Sequence, residues 1–203
     1  DEYTFGVNAI YTNYKKMGFY PNFWAIEDIL VAEDRSNEIN DYKGSIKFYG
    51  AYLNKFLVKD NKTIYINFLH QSDYTDYPKF STNASHKIYW GGTVSYLCMQ
   101  LAYYMGFKNN ILIGFDHNYK VPKSTIVSNS GKVFTSQGPD PNHFNPDYFG
   151  SGKRWHDPNV DRMEKGYVQA KKYFERDSRM ILNATIGGNL EVFERIEYLS
   201  LFR

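Results

Sequence analysis

The fold is decided by two adjoining stretches, His86-Lys-Ile-Tyr-Trp-Gly-Gly-Thr-Val-Ser-Tyr-Leu-Cys-Met-Gln-Leu-Ala-Tyr-Tyr-Met-Gly106 and Asn110-Ile-Leu-Ile-Gly-Phe-Asp-His117. Their pattern predicts a strand, a glycine turn, a buried helix and a second strand that ends in a polar pair. In an open α/β sheet, ligands bind at the carboxyl ends of parallel strands. The two turns of this segment are therefore where we expect function to lie.

The residues at these two turns have the chemistry of a ligand site. Gly91 and Gly92 let backbone N–H groups approach a ligand closely, and the helix start at Thr93 favours an anion such as a phosphate. Asp116 and His117 follow the second strand and could act as a general acid and base, bind a metal, or cap the next turn. We predict that both turns face a common crevice.

Outside this segment, the chain alternates strand-like and helix-like runs. The predicted strands are 3–8, 23–26, 46–49, 63–69 and 180–185. The predicted helices are 9–16, about 51–58 and about 161–175, the last one capped by Asp157 or Asn159. This alternation predicts an α/β fold, specifically a Rossmann-like, doubly wound and mostly parallel sheet.

One long segment, 119–155, interrupts the alternation. It is rich in Pro, Gly, Ser and Asn and has no sustained periodicity. Such a loop is usually a functional lid or a disordered insert, and we predict a lid because it follows directly on the Asp116-His117 strand end. The length of 203 residues predicts a single domain, 1–203, that contains this insertion. The abrupt first strand suggests that the domain is part of a longer chain.

The composition limits the class of protein. Lys and Arg number 24 against 22 Asp and Glu, and this near-neutral balance gives no reason to expect nucleic acid as a partner. A single cysteine, Cys98, excludes an internal disulfide framework and suits a reducing compartment. No apolar run of eighteen residues and no signal-like N-terminus are present, so we predict a cytoplasmic protein.

Further polar residues stand where strands or insertions end. Asn8 and Asn67 each end a predicted strand, and their amides fit recognition of ribose or a base, although turn stabilisation is an alternative role. Thr185 precedes a second Gly-Gly turn, Gly187-Gly188, which could close over a nucleotide or be a plain loop. His156 emerges where the insertion rejoins the fold and is the candidate general base.

The order of these motifs resembles that of a known family. Asn8 in Phe-Gly-Val-Asn, the Gly-Gly-Thr-Val helix start, Ile-Gly-Phe-Asp-His-Asn-Tyr, a lid and Trp-His-Asp-Pro-Asn-Val-Asp follow one another as in the bacterial sialyltransferases of glycosyltransferase family 42. The broader set of related proteins includes the archaeal-type 6-hydroxymethylpterin pyrophosphokinases. The likeness spans nearly the whole chain. The family's N-terminal Gly-rich strand and loop would lie before Asp1.

The resemblance implies a role for individual residues. Asn8 is similar to the asparagine that contacts the CMP moiety, and Gly91, Gly92 and Thr93 are similar to the small-residue turn that holds the nucleotide. His156 matches the catalytic base that follows the lid. Tyr119 is a candidate substitute for the lid tyrosines that contact the leaving group.

The resemblance therefore implies a glycosyltransferase of polysaccharide synthesis, with a nucleotide-sugar donor, most plausibly CMP-linked, and a glycan acceptor as partners. Transfer would be an inverting displacement that needs no metal and no cofactor. Peripheral membrane association through other parts of a longer chain and a homo-oligomer are left open. One alternative is an ATP- and Mg²⁺-dependent pyrophosphokinase for a pterin-like alcohol, with Asp28 and Asp116 as metal ligands. The other is a non-catalytic nucleotide- or glycan-binding module.

Overall fold

The computed structural model describes residues 2–70 and 76–202 and has an α/β fold with parallel sheets. The strands are β1 (Phe5–Val7), β2 (Phe23–Ile26), β3 (Ile46–Gly50), β4 (Thr63–Ile66), β5 (Phe68–Leu69), β6 (Ile88–Tyr89), β7 (Asn109–Leu112), β8 (Ile126–Val127), β9 (Val133–Thr135), β10 (Arg154–His156), β11 (Met180–Asn183) and β12 (Glu194–Arg195). The α-helices are α1 (Tyr14–Met17), α2 (Ile29–Asp34), α3 (Ser36–Asp41), α4 (Val94–Tyr104) and α5 (Val160–Arg176). Three 3₁₀ helices cover Asn8–Asn13, Ala51–Lys55 and Tyr198–Phe202.

Contacts divide the chain into two compact units. Unit 1 contains the residues up to Asn67 together with Tyr119–Pro158, and unit 2 contains Phe68–Asn118 and the residues from Asn159 onward. A single domain with a lid at 119–155 stays a prediction. Within the described residues, none of the helices combines the length and apolar character that crossing a membrane requires.

Unit 1 is built on a four-stranded parallel sheet whose strands, β1 to β4, are neighbours in chain order. Trp24, Ile26 and Tyr49 project from β2 and β3 into a core that the apolar face of α2 covers. Asp28 begins α2, because its carboxylate accepts hydrogen bonds from the N–H groups of Leu30 and Val31. The carboxyl end of β2 therefore leads directly into a capped helix.

The segment after Tyr119 has more regular structure than its sequence pattern predicts. β8, β9 and β10 form an antiparallel sheet, in which Val133, Phe134 and Thr135 pair with the three residues of β10. Strands of two or three residues are too short to produce a recognisable alternation. Arg35, which is 5% exposed, donates hydrogen bonds to the backbone carbonyls of Asp147 and Tyr148 and so fixes the segment within unit 1.

Unit 2 contains two parallel sheets, β5 with β6 and β7 with β11 and β12, together with the longest helices. Thr93 caps α4 and Asn159 caps α5, each accepting a hydrogen bond from a backbone N–H of the first turn. Buried Gln100 of α4 accepts a hydrogen bond from the N–H of Tyr89 and donates one to its carbonyl. This pairing fixes the end of β6 against the helix.

The predictions for individual elements succeed best where the periodicity is long. The helices predicted inside 86–106 and at 161–175 are confirmed as α4 and α5, and Asn159 rather than Asp157 is the cap of α5. The predicted strand 63–69 is wrong as one element, because it divides at Asn67 into β4 and β5 of different sheets. The predicted helices 9–16 and 51–58 are largely 3₁₀ helices, and α2 and α3 were not predicted.

Candidate functional site

The carboxyl edge of the unit 1 sheet carries Asn8, Asp28 and Asn67. Val7, the last residue of β1, pairs with Ala25, and β2 ends one residue later at Ile26, so the two strands end within one residue of each other. Asn8 has a positive φ of 46° and its carbonyl accepts a hydrogen bond of 2.8 Å from the indole N–H of Trp24. Its side-chain Oδ1 is buried and has no hydrogen-bond partner within the described part of the chain.

His156 and Asp28 form a hydrogen-bonded pair in unit 1. Nδ1 of His156 lies 3.1 Å from Oδ2 of Asp28, while Oδ1 of Asp28 accepts from the first turn of α2. The carboxylate therefore favours the tautomer with the proton on Nδ1 and leaves the lone pair on Nε2. Among the residues that the structure describes, none bonds Nε2, and the side chain is 47% exposed. We call this pair the dyad.

A second contact fixes β10, which carries the dyad histidine. Arg154 precedes His156 by two residues, so both side chains lie on the same side of the strand. The guanidinium of Arg154 donates hydrogen bonds of 2.9 Å to Asp34 and to Glu33 at the end of α2. Its backbone N–H bonds the other oxygen of Asp34 at 2.8 Å. Contacts at both ends of α2 thus set the position of the imidazole.

The electrostatics of the dyad predict a measurable pH dependence. The hydrogen bond to Asp28 raises the pKa of His156 above 6.5, against the opposing effect of burial. Because this folded-state pKa is raised, the pairing stabilises the fold fully below pH 6.5, and the stabilisation is lost as pH rises through the folded-state pKa. We expect Asp28→Asn to lower the pKa of His156 in an NMR titration. An unchanged pKa would show that the two side chains do not interact in solution.

The predicted glycine turn lies in unit 2 against α5. Gly92 has a φ of 86°, a conformation that favours glycine, and a Cβ there would lie 2.9 Å from Cγ of Arg162. A Cβ on Gly166 of α5 would likewise lie 2.9 Å from the carbonyl oxygen of Gly91. Thr93 ends the turn and caps α4. The turn is therefore closely packed on the first half of α5.

The second predicted turn also packs within unit 2. The N–H of Phe115 donates to Oγ1 of Thr185 at 2.9 Å, and the carbonyl of Asp116 accepts from the N–H of Asn189 at 2.7 Å. A Cβ on Gly188 would lie 2.8 Å from both Cα and the carbonyl oxygen of Asp116. Gly187 has open space around it. The loop after β7 and the loop after β11 thus fit closely together.

His117 connects this second turn to α5. It has a φ of 51°, and its ring centre lies 5.8 Å from that of Tyr167. Its Nε2 is buried and has no hydrogen-bond partner among the described residues, and burial lowers the pKa of the imidazole. Arg162, Gly166 and Tyr167 lie within about one and a half turns of α5, so both predicted turns contact the same stretch of this helix.

The predicted residues thus fall into two sets. Unit 1 brings Asn8, Asp28 and His156 to one sheet edge, with Asn67 after β4 and Tyr119, which is 37% exposed, at the start of the second segment. Unit 2 holds the other set, Gly91, Gly92, Thr93, Asp116, His117, Thr185, Gly187 and Gly188. Their roles stay predictions. In the described ranges, no three His, Cys, Asp or Glu side chains converge where a metal ion could bind.

Sequence reasoning missed the residues that hold these side chains in place. Arg154 positions β10, and Arg162 contacts the glycine turn. Neither belongs to a local motif. The only sequence signal near Arg162 is its position in the first turn of a helix capped by Asn159, to which its backbone N–H donates a hydrogen bond.

The comparisons with known proteins gave one match. A family model described as "6-hydroxymethylpterin diphosphokinase MptE-like" matches residues 2–122, more than half of the 203 residues. The matched range includes Asn8, Asp28, the glycine turn and Asp116-His117, whereas His156 lies beyond it. Searches of curated proteins and of solved structures gave no significant match.

Proposed function

The chain belongs to the family of proteins like the 6-hydroxymethylpterin diphosphokinase MptE, and on this basis we propose that it transfers a group from a nucleoside phosphate donor to a hydroxyl acceptor. Membership of this family indicates a transferase-type enzyme. In its specific form, the proposal is diphosphate transfer from ATP to a hydroxymethyl group on a pterin-like ring. The acceptor oxygen attacks the β-phosphorus, the bond from this phosphorus to the oxygen of the α-phosphate breaks, and AMP leaves.

Within the structure, the dyad is the observation that carries the proposal. A hydroxyl becomes a better nucleophile when a nearby base takes its proton, and imidazole titrates near neutral pH. In His156, Asp28 holds the proton on Nδ1, so Nε2 is the atom that would receive the acceptor proton. Asp28 would then stabilise the imidazolium that forms. Paired with Asp28, His156 would therefore serve as the base, and no other side chain of unit 1 is needed for this proton transfer.

Asn8 supports recognition of a heteroaromatic acceptor at the same sheet edge. Its Oδ1 is buried without a partner among the described residues, and such an oxygen is costly to leave unbonded. A pterin-like ring carries N–H groups that could donate to it. The φ of Asn8, at 46°, lies in the left-handed region, which asparagine adopts more readily than most residues.

Of the two carboxylates predicted to hold Mg²⁺, Asp116 fits better than Asp28. Both oxygens of Asp28 already have partners, one in the α2 cap and one in the dyad. Asp116 is exposed, and a single carboxylate with water and phosphate oxygens is a usual set of ligands for Mg²⁺. When bound to the phosphates of ATP, Mg²⁺ supplies neutralisation of the developing charge.

A second candidate function is glycosyl transfer from a nucleotide-sugar, with a CMP-linked sugar as the expected donor, to a glycan acceptor. The observation that favours it is the pairing of Asp28, because a dyad whose carboxylate is already engaged can deprotonate a sugar hydroxyl without a metal. The comparisons do not confirm a sialyltransferase. In this case, His156 would accept the acceptor proton, and CMP would leave from the opposite face of the sugar.

The two functions release different nucleotides, and product analysis separates them. The full chain is incubated with ATP, Mg²⁺ and 6-hydroxymethylpterin in its reduced form, and in parallel with CMP-sialic acid and a galactose-terminated acceptor. We expect AMP and a diphosphorylated pterin in the first reaction, identified by mass spectrometry. Release of CMP with a sialylated acceptor would select the second function. No transfer in either reaction would contradict both.

A further inference from the structure

Arg162, in the first turn of α5, lies beside the glycine turn of unit 2. Its guanidinium carbon is 4.6 Å from the centre of the Trp90 ring, and its stem packs where a Cβ on Gly92 would stand. An arginine that lies over an indole ring keeps its charge, and the attraction to the ring does not use up its N–H donors. The ring contact and the stem contact therefore fix the guanidinium beside the start of α4.

The hydrogen bonding of this guanidinium is unusual within the described chain. The other described arginines each donate a side-chain hydrogen bond to a carboxylate or carbonyl oxygen of the protein: Arg35, Arg154, Arg176, Arg179 and Arg195. For Arg162, only the backbone N–H donates, to Asn159. Its five side-chain N–H donors have no acceptor among the described residues and remain available for a ligand.

Two lysines lie close to Tyr89, the residue that precedes Trp90 in the chain. Lys79 and Lys87 lie over the ring of Tyr89, 5.9 Å and 5.7 Å from its centre, and neither forms an ion pair with a described carboxylate. His70 also contacts Trp90, with the two ring centres 5.8 Å apart. Burial lowers the pKa of His70, so it adds no charge at neutral pH. Lys79 and Lys87 thus add two ammonium groups next to the last residue of β6, without a described carboxylate partner.

We propose that Arg162, which lies over the ring of Trp90, binds the phosphate groups of a nucleoside phosphate. The planar guanidinium can donate two parallel hydrogen bonds to phosphate oxygens, which an ammonium cannot. Gly92 permits the close approach, because a larger residue would displace the arginine stem. Identification of this ligand as the donor rests on the proposed function, whereas phosphate binding by Arg162 does not.

The test is isothermal titration calorimetry of the full chain with three probes, ATP, inorganic diphosphate and CMP. Arg162→Gln keeps part of the stem and removes the charge. We expect it to weaken binding of ATP and of diphosphate by about 10-fold or more, as loss of a charge-assisted hydrogen bond does. Arg162→Lys should recover only part of this loss. If the wild type binds CMP, the donor is indicated to carry one phosphate. If the wild type binds ATP but not CMP, the result favours the diphosphokinase.

Arg176→Gln is the matched control. Arg176 lies on the same helix, and its guanidinium is also 4.6 Å from an aromatic ring centre, that of Tyr173, but it bonds Asp177. We expect this variant to bind ATP like the wild type. Equal affinity in Arg162→Gln and wild type, equal losses in both variants, or no binding of any probe would overturn the proposal. Circular dichroism and thermal melts of both variants exclude unfolding as the cause of a loss.

This result is independent of turnover. If Arg162→Gln loses ATP binding while His156→Ala keeps normal turnover, the phosphate site stands and the proposed role of the dyad fails. If His156→Ala loses turnover while Arg162→Gln binds ATP normally, the dyad stands and the phosphate site fails.

Discussion

Replacement of His156 by alanine is expected to lower turnover by about 100- to 10,000-fold, the usual contribution of a general base. The affinity for ATP should change little, because a base acts on the acceptor proton in the transition state and contributes little to donor binding. The loss should therefore be seen in kcat and not in the dissociation constant of the nucleotide. Steady-state kinetics and calorimetry on the same preparation measure the two quantities.

Two other histidines provide the controls for this prediction. His86 is exposed and belongs neither to the dyad nor to the two predicted turns, so His86→Ala should keep wild-type turnover. His117→Ala should affect donor binding more than proton transfer, since its ring packs against Tyr167 of α5. Near-normal turnover in His156→Ala together with complete loss in His117→Ala would assign the base to the Asp116-His117 strand end.

Replacement of Gly188 by alanine is expected to destabilise the fold strongly. Its φ of 77° costs a residue with a Cβ roughly 1–2 kcal/mol. The new Cβ would also stand 2.8 Å from Cα and the carbonyl oxygen of Asp116, and displacing a packed backbone costs about a further 1–3 kcal/mol. A lower urea midpoint with an unchanged slope would report this loss of unfolding free energy.

The neighbouring glycine, Gly187, separates the cost of the backbone conformation from the cost of the steric overlap. Gly187 has a similar φ of 72° but no atom within 4 Å of its ideal Cβ position. Gly187→Ala should therefore show the cost of the backbone conformation alone, and Gly188→Ala should be clearly less stable than Gly187→Ala. Equal midpoints for the two variants would mean that the loops after β7 and β11 are not in close contact.

The sequence was sufficient to predict the α/β fold with parallel strands and its two longest helices. α4 and α5 are 11 and 17 residues long, so their apolar periodicity and their caps are visible along the chain. β8 to β10 have two or three residues each, and their pairing depends on contacts between distant segments. Asn67 separates β4 from β5, which belong to different sheets. Strand-forming residues stand on both sides of Asn67, so the sequence pattern predicts one continuous strand.

The sequence nominates individual candidate residues but does not indicate which of them pair. His156 and Asp28 are 128 positions apart, and the sequence suggests a metal-binding role for Asp28 in place of a partnership with the imidazole. Arg162 was missed because the feature that distinguishes it is a guanidinium without an acceptor among the described residues. A local sequence pattern does not reveal which side chains lack a hydrogen-bond partner in the folded chain. Side-chain partners at such separations are determined by packing and hydrogen bonding in the folded chain.

The most direct test of the central claim, that His156 is the base of the transfer, compares its pKa with the pH dependence of turnover. The pKa is measured by NMR, and kcat/KM is measured across the same pH range for the wild type and for Asp28→Asn. We expect kcat/KM to rise as pH passes the pKa of His156, and we expect both the pKa and the inflection to shift downward together in the variant. A shifted pKa with an unmoved pH profile would contradict the assignment.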